Sequence, residues 1–254
     1  MTPVLATEAV TKQFAKDDAA IVALREFTMS VDAGSLVTVL GRSGCGKSTL
    51  LNMLAGLTAP TSGEVRYRDR PLTGPNTQIG YLTQHDTLMP WRDVLRNVEM
   101  PLEIRGIDTT ARRKTASDLV RRVGLAGFER HYPRELSGGM RRRASLARML
   151  AGDPETLLMD EPFGALDAQL RAELQQELLR LWQGSGQTVV FVTHDIEEAL
   201  LLGDRVVVLG GLGKLLLDRE IPLARPRSAD ELRVDPEFVV LYQELAAALA
   251  GEQS

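Results

Sequence analysis

The chain has 254 residues and a formal net charge of −4, with 44% hydrophobic and 25% charged residues. This size and composition are those of a globular protein with one sizeable core, and the small negative charge argues against a broad nucleic-acid surface. One cysteine and three histidines exclude an intrachain disulfide and a zinc ligand set. We expect a cytoplasmic protein, because no apolar run reaches the ~18–20 residues that cross a bilayer and no signal peptide opens the sequence.

The N-terminal third predicts strands followed by a helix. Residues 5–10 and 24–31 alternate apolar and polar side chains, as half-buried antiparallel strands do. Residues 36–40 form a continuous apolar run that ends at Gly41, which is typical of a buried parallel strand. Leucines then recur at helical spacing at positions 50, 51, 54 and 57, with Gly56 and Pro60 ending the helix.

The remaining strand candidates follow at wide intervals. They are residues 79–82, 156–159, 188–192 and 206–209, and most are separated by helical patterns. This alternation predicts an α/β fold whose mainly parallel core sheet is flanked by helices.

Two segments differ from this alternation. Residues 90–148 are rich in arginine and helical patterns and carry no strong strand, so we expect a helical lobe inserted between two strands of the sheet. Residues 226–254 read as a linker and an amphipathic helix following a main domain of residues 1–225. The apolar face of this helix comprises Phe238, Leu241, Tyr242, Leu245 and Leu249.

A phosphate-binding loop follows the buried strand at 36–40. It matches G-x-x-x-x-G-K-[ST], and its residues are Gly41, Arg42, Ser43, Gly44, Cys45, Gly46, Lys47, Ser48 and Thr49. Its glycines let backbone N–H groups close on a nucleotide phosphate at a helix N-terminus. We expect Lys47 to reach the β- and γ-phosphates of ATP and the Ser48 hydroxyl to ligate Mg²⁺. The alternative is a glycine-rich turn followed by Lys-Ser by chance.

Two acidic residues end the strand at 156–159. Asp160 is suited to orient Mg²⁺ through a coordinated water, and Glu161 to polarise the water that attacks the γ-phosphate. The alternative is a pair of surface acids after a strand.

Two further polar residues follow strands. His194 lies after residues 188–193, at the sheet edge where ligands collect, and could hydrogen-bond the γ-phosphate. Gln84 follows residues 79–82 in the same way and could contact both Mg²⁺ and the attacking water. A lone histidine in such a position is otherwise unremarkable.

These motifs together resemble those of the ATP-binding cassette (ABC) transporter ATPases. The phosphate loop, Gln84, the signature Leu-Ser-Gly-Gly at 136–139, Asp160–Glu161, Asp167 and His194 occur in the family's order over roughly residues 5–225. The resemblance implies the P-loop NTPase fold of these ATPases, with an N-terminal antiparallel β subdomain and the inserted helical lobe.

The resemblance also implies further nucleotide contacts. Phe14 would stack on the adenine, the alternative being an apolar core residue. Ser137, Gly138 and Gly139, with the loop at Asp167, would contact ATP across a homodimer or a pair with a second ATPase subunit. Met140 departs from the glutamine usual in the family, which should weaken only a peripheral polar contact.

Within the family, the segment from Gln84 to Trp91 and the C-terminal tail are similar to the nitrate, sulfonate and taurine importer group. This implies a transmembrane permease contacted near Gln84–Trp91, a solute-binding protein, and a position on the inner face of the membrane. The transported solute is left open. A lipid or drug exporter subunit, and a soluble ABC protein acting on DNA or ribosomes, are the alternatives. Trp91 could instead fill the core of the lobe.

Two local features lead to separate expectations. The basic runs at 112–114 and 141–143 are interpreted as solvated helix faces, since acidic residues nearby offset their charge, so no nucleic-acid partner is expected. Cys45 lies near a helix N-terminus and beside Lys47, which predicts a reactive thiol that MgATP protects from a maleimide.

Overall fold

A computed structural model describes residues 3–16, 19–164 and 166–251 of the chain. Its strands are β1 (Leu5–Lys16), β2 (Ala19–Val31), β3 (Leu36–Gly41), β4 (Ser62–Tyr67), β5 (Arg70–Pro71), β6 (Ile79–Leu82), β7 (Thr156–Asp160), β8 (Thr188–Thr193), β9 (Arg205–Leu209) and β10 (Leu215–Glu220). Its α-helices are α1 (Lys47–Leu54), α2 (Val94–Ile104), α3 (Thr109–Arg122), α4 (Gly138–Ala151), α5 (Ala168–Trp182), α6 (Ile196–Leu202), α7 (Ala229–Leu232) and α8 (Pro236–Ala250).

The central element is a six-stranded sheet in the order β10-β9-β3-β8-β7-β6. Five of these strands run parallel, and β10 joins β9 antiparallel at one edge. Strands β3, β7 and β8 are buried along their whole length, which explains their continuous apolar sequences. The predicted mainly parallel α/β sheet is therefore confirmed.

A second sheet, in the order β2-β1-β4-β5, is antiparallel. Its two long strands β1 and β2 confirm the N-terminal antiparallel subdomain. Strands β4 and β5 were not predicted, because their short sequences lack a clear apolar alternation. This sheet packs against α1 and one face of the central sheet, through buried residues that include Leu24, Leu50 and Val190.

The helix α1 is shorter than the leucine spacing predicts. It ends at Leu54, and Gly56 follows with a φ of 71°, so the chain turns before Leu57, which is exposed. The prediction that Leu57 belongs to the apolar face of this helix is wrong.

The helical lobe consists of α2, α3 and α4, and it is inserted between the neighbouring strands β6 and β7. It has its own apolar core, which includes Val98, Val120 and Ala147. The interpretation of residues 141–143 as a solvated helix face is wrong, because Arg142 is buried on α4. Of the other basic run, Arg112 and Arg113 lie near the buried carboxylate of Glu99.

The C-terminal helix α8 packs on the main core through Phe238, Leu241 and Leu245. The segment before it is anchored by Arg227, a buried guanidinium that donates to the carbonyls of Leu200 and Gly203 at the end of α6. Residues 1–2, 17–18, 165 and 252–254 of the predicted domains lie outside the described residues. Within the described ranges, every helix is too short or too polar to cross a bilayer.

Candidate active site

Most of the residues predicted for catalysis and metal binding meet at one edge of the central sheet. Parallel strands bring their carboxyl ends to the same edge, and there β3 leads into the phosphate loop. Strand β7 ends at Asp160, β8 leads to His194, and Gln84 follows β6. The sheet topology thus gathers residues that lie far apart in sequence.

Backbone carbonyls of the phosphate loop hold the side chain of Lys47. The Nζ atom of Lys47 donates to the carbonyls of Gly41 and Arg42, each at 2.8 Å. Gly46 has a φ of 106°, and a Cβ there would lie 2.4 Å from the carbonyl oxygen of Ala23. Only glycine satisfies both the conformation and the space at this position.

Glu161 bridges two other candidate residues. Its Oε1 lies 3.2 Å from Nζ of Lys47, and Nδ1 of His194 donates to its Oε2 at 3.1 Å. The Glu161 side chain is largely buried whereas that of His194 is 52% exposed. A carboxylate is therefore held between a lysine and an imidazole at the mouth of the phosphate loop.

The backbone of Glu161 is strained. Its φ is 41°, in the left-handed region that costs a non-glycine residue about 1–2 kcal/mol. Its N–H donates to the carbonyl of Val192 at 3.0 Å, which ties this conformation to β8. The neighbouring strand thus restrains the backbone from which the carboxylate reaches Lys47 and His194.

Asp160 is buried beside polar groups. Burial raises the pKa of its carboxyl and the charge of Glu161 adds to this, while hydrogen bonds from Ser48 and Tyr81 and the charge of Lys47 oppose the shift. The phenol of Tyr81 has a raised pKa, first because it is buried and then because Asp160 is close. Sequence reasoning missed Tyr81, since a tyrosine within a short apolar strand carries no signal of such a contact.

Two clefts open at this edge. The first, of about 250 Å³, is lined by the phosphate loop together with Gln84 and Glu161. The second, of about 470 Å³, is lined by Gln84, Glu161 and His194 on one side and by Gly138 and Arg142 of α4 on the other. Gln84 and Glu161 border both clefts and separate the phosphate loop from the N-terminus of α4.

The segment at 137–139 begins α4. The Ser137 hydroxyl caps the helix by accepting from the N–H of Met140 at 3.3 Å. A Cβ at Gly139 would lie 2.3 Å from Cδ2 of Leu170 in the first turn of α5. Asp167 caps α5 by accepting from the N–H of Leu170 at 3.0 Å. The beginnings of α4 and α5 are thus in direct contact.

Two residues of the candidate site differ in solvent exposure. Phe14, on β1, is 43% exposed with the ammonium of Lys12 over its ring, which excludes the alternative of a core residue. Cys45 is only 5% exposed and packs in the core beneath the loop. The expectation of an accessible, reactive thiol is therefore wrong.

Comparisons with known proteins agree with this geometry. Residues 24–164 match the family model described as ABC transporter. The taurine import ATP-binding protein TauB of Burkholderia pseudomallei is 42% identical over 253 residues, which is 98% of this chain and 97% of that protein. An uncharacterized ABC transporter ATP-binding protein of Methanocaldococcus jannaschii is 45% identical over 249 residues, or 98% of this chain and 92% of that protein.

A solved structure shares the fold. The dimeric ATP-binding cassette MJ0796, in a post-hydrolysis state bound to ADP and Pi, superposes with a TM-score of 0.79 at 33% identity. The match covers 87% of this chain and all of that one. By its sequence relatives and its fold, this chain belongs to the ABC transporter family, as one of the ATP-binding subunits that hydrolyse ATP to drive transport.

Proposed function

We propose that the chain is the ATPase subunit of an importer for a small anionic or polar solute of the taurine or sulfonate type, working on the cytoplasmic face of the membrane. The observation that carries the proposal is the similarity to TauB proteins along nearly the full length of both chains. The site geometry supports the ATPase half of the proposal independently, through the bridging of Lys47 and His194 by Glu161.

For nucleotide binding, we assign the phosphate loop at 41–49. Its backbone N–H groups and the N-terminus of α1 suit the phosphates, and Lys47 is held at the loop where it would contact them. Phe14 is assigned to the adenine, since its exposed ring offers a stacking surface.

The donor set at the end of β7 fits Mg²⁺. Ser48 is close enough to Asp160 to lower the pKa of its carboxyl, and Gln84 lines the same cleft as Ser48, so the three side chains are neighbours. Among the described residues, no group of three or more His, Cys, Asp or Glu side chains forms a metal cage. Mg²⁺ is commonly held by one or two carboxylates together with substrate phosphates, so the small donor set suits it. When bound, the ion would offset negative charge that develops on the phosphates.

For hydrolysis, we assign Glu161 as the general base. Its carboxylate lies at the mouth of the loop, where it would accept a proton from the attacking water. His194 would orient that carboxylate through its Nδ1–H and contact the γ-phosphate with the exposed side of its ring. Gln84, which borders both clefts, would hold the water and an Mg²⁺ ligand position.

A second copy of the chain would complete each site. The N-terminus of α4, with Ser137, Gly138 and Gly139, lies across the second cleft from His194 and suits an anion. In a head-to-tail dimer it would contact the γ-phosphate held by the partner's loop, with Asp167 at the same interface. A pair with a second ATPase subunit would present the same surfaces.

The permease would dock beside the helical lobe. A cavity of about 400 Å³ between β6, α2 and α4 is lined by apolar groups that include Met89, Met100 and Ile104. Trp91 lies two residues after Met89 in sequence, and its side chain is 70% exposed. This exposure excludes the alternative that Trp91 fills the core of the lobe. We assign the segment from Gln84 to Trp91, with this cavity, to a permease segment. The solute-binding protein would join the complex through the permease.

The docking assignment is tested by crosslinking in membranes of the source organism. A benzophenone attached to Trp91→Cys is expected to capture a multispanning membrane protein, since Cys45 is too buried to compete for the label. Val234→Cys, which replaces another highly exposed residue, is the matched control and is expected to capture none. Capture of ribosomal or DNA-binding proteins by Trp91→Cys alone would contradict the proposal.

The solute is tested by uptake. A strain lacking the gene is expected to lose uptake of labelled taurine or an alkanesulfonate, and the wild-type gene but not Glu161→Gln should restore it. Undiminished uptake of both solutes in that strain would contradict the proposed solute class.

A further inference from the structure

Three arginines of α4 contact the loop that carries Gln84, here called the glutamine loop and defined as residues 83–87. Arg141 Nε donates to Asp86 Oδ2 at 3.0 Å, Arg142 Nη1 donates to the Thr83 carbonyl at 2.6 Å, and Arg148 Nη1 donates to the Thr87 carbonyl at 2.7 Å. The helix that begins at the signature is therefore tied to the glutamine loop along its length.

Arg142 differs from the other two in its burial. It is 5% exposed, and within the described part of the chain its Nε and Nη2 have no hydrogen-bond partner. Burial lowers the pKa of its guanidinium to about 10, which the charges of Asp86 and Asp160 only partly oppose. A buried cation with unused donors destabilises a fold relative to an apolar side chain of similar volume. Stability alone therefore does not explain this residue.

Its position relates it to hydrolysis. Arg142 lines the second cleft together with Gln84, Glu161 and His194. Its one acceptor among the described residues is the carbonyl of Thr83, immediately before Gln84. A charge-assisted hydrogen bond of this length to the preceding carbonyl restrains the backbone from which the Gln84 side chain projects.

We propose that Arg142 is a positioning residue for hydrolysis, which holds the glutamine loop so that Gln84 moves together with the N-terminus of α4. The inference rests on the proposed function, because it assumes that Gln84 acts on the water and that residues 137–139 contact a nucleotide. Arg142 then connects the contact that one chain makes with its partner's nucleotide to the geometry of its own site.

The chain offers a matched control in the next residue. Arg143 is also largely buried, but its Nη1 donates to the carbonyl of Val123 at 3.1 Å and to Glu177 at 2.7 Å, away from the glutamine loop. Arg143→Ala therefore removes part-buried hydrogen bonds of α4 without releasing Gln84. Arg142→Gln removes the restraint on Thr83 while it keeps a polar side chain of moderate size.

Two readouts separate positioning from stability. The first is steady-state MgATP hydrolysis at equal folded fraction. For Arg142→Gln we expect kcat to fall about ten- to a hundredfold with KM changed less than about twofold, whereas Arg143→Ala should keep kcat within about twofold. The second is the fluorescence change of Trp91 on MgATP addition in a Trp182→Phe background, which Arg142→Gln should abolish and Arg143→Ala should retain.

The outcomes are distinguishable. Equal kcat in the Arg142→Gln and Arg143→Ala variants, or a raised KM with unchanged kcat, would overturn the inference. If Arg142→Gln does not fold, Arg142→Lys keeps the charge and a donor group. Its kcat should then be lower than that of the wild type and higher than that of a Gln84→Ala variant. A wild-type chain that binds but does not hydrolyse MgATP would overturn the proposed function instead, and the Trp91 signal would still decide the role of Arg142.

Discussion

The sheet edge and the N-terminus of α4 are built in different ways. At the sheet edge, Glu161 is already in contact with Lys47 and His194, so the polar side chains there are paired within one chain. At α4, the Ser137 hydroxyl is hydrogen-bonded within its own helix, and among the described residues the atom nearest to a Cβ at Gly138 would be an arginine nitrogen at 3.9 Å. One region is assembled internally, whereas the other presents small groups and backbone outward. This difference agrees with the proposal that the first region holds a nucleotide by itself and the second acts on the nucleotide of another molecule.

The largest effect on activity is expected from substituting Glu161, which lies between Lys47 and His194 at the sheet edge. Glu161→Gln should lower the rate of MgATP hydrolysis about 10²- to 10⁴-fold, because the amide cannot accept the proton of the attacking water. MgATP binding should persist, since the phosphate loop is unchanged, and light scattering should show an ATP-dependent dimer. Phosphate release at the wild-type rate would show that Glu161 is not the base.

A mixing experiment sharpens the comparison between the two regions. Lys47→Ala should weaken MgATP binding at least about tenfold through loss of charge-assisted hydrogen bonds, while Ser137→Ala should leave binding intact but slow hydrolysis. If the regions act across a dimer, a mixed pair contains one intact site, and an equal mixture should regain up to about a quarter of the wild-type rate. Residual activity that merely averages the two variants would place both regions in one chain's site.

Asp160 allows a test by pH. Because burial raises its pKa in the folded chain, its charged form opposes folding, and this penalty is absent below the unfolded pKa and grows as pH rises through the folded value. Asp160→Asn should therefore raise Tm at neutral pH in magnesium-free buffer, and the difference should narrow as the pH falls. Asp118→Asn, at an exposed ion pair, is the control and should shift Tm little. A lower Tm for Asp160→Asn at neutral pH would contradict the inference that the charged carboxylate of Asp160 destabilises the folded chain.

The smallest effect is expected at Cys45. Since its thiol is buried in the core, a maleimide should label the folded chain slowly, and MgATP should change the labelling rate little. Mass spectrometry over time would measure this, with the urea-unfolded chain as the fully reactive reference. Rapid labelling that MgATP blocks would show that the loop opens and exposes the thiol.

What could be predicted from sequence depended on local patterns. Continuous apolar runs predict the buried strands β3, β7 and β8. The polar residues after these strands lie close together because parallel strands end at the same edge of the sheet. The placement of Lys47, Asp160, Glu161 and His194 at one edge follows from that rule alone. The strands β4, β5 and β10 lack such a pattern and were missed.

Long-range packing explains the remaining errors. Arg142 sits in a run of arginines that is indistinguishable by sequence from a solvated face, and its contact with the glutamine loop joins segments about 60 residues apart in sequence. Tyr81 and Asp160 meet because β6 and β7 are neighbours, although the whole helical lobe separates them in sequence. Cys45 turns inward because of the backbone path of its loop, which side-chain chemistry does not specify.

The contact between Gly139 and Leu170 has a consequence for how the signature should be understood. A side chain at position 139 would require the Leu170 side chain, on a different helix, to move, so the signature segment packs as one half of a helix–helix contact. The backbone N–H of the same Leu170 donates to the Asp167 cap, so the contact of Gly139 lies at the capped first turn of α5. A larger residue at position 139 would therefore be accommodated best together with a smaller residue at position 170.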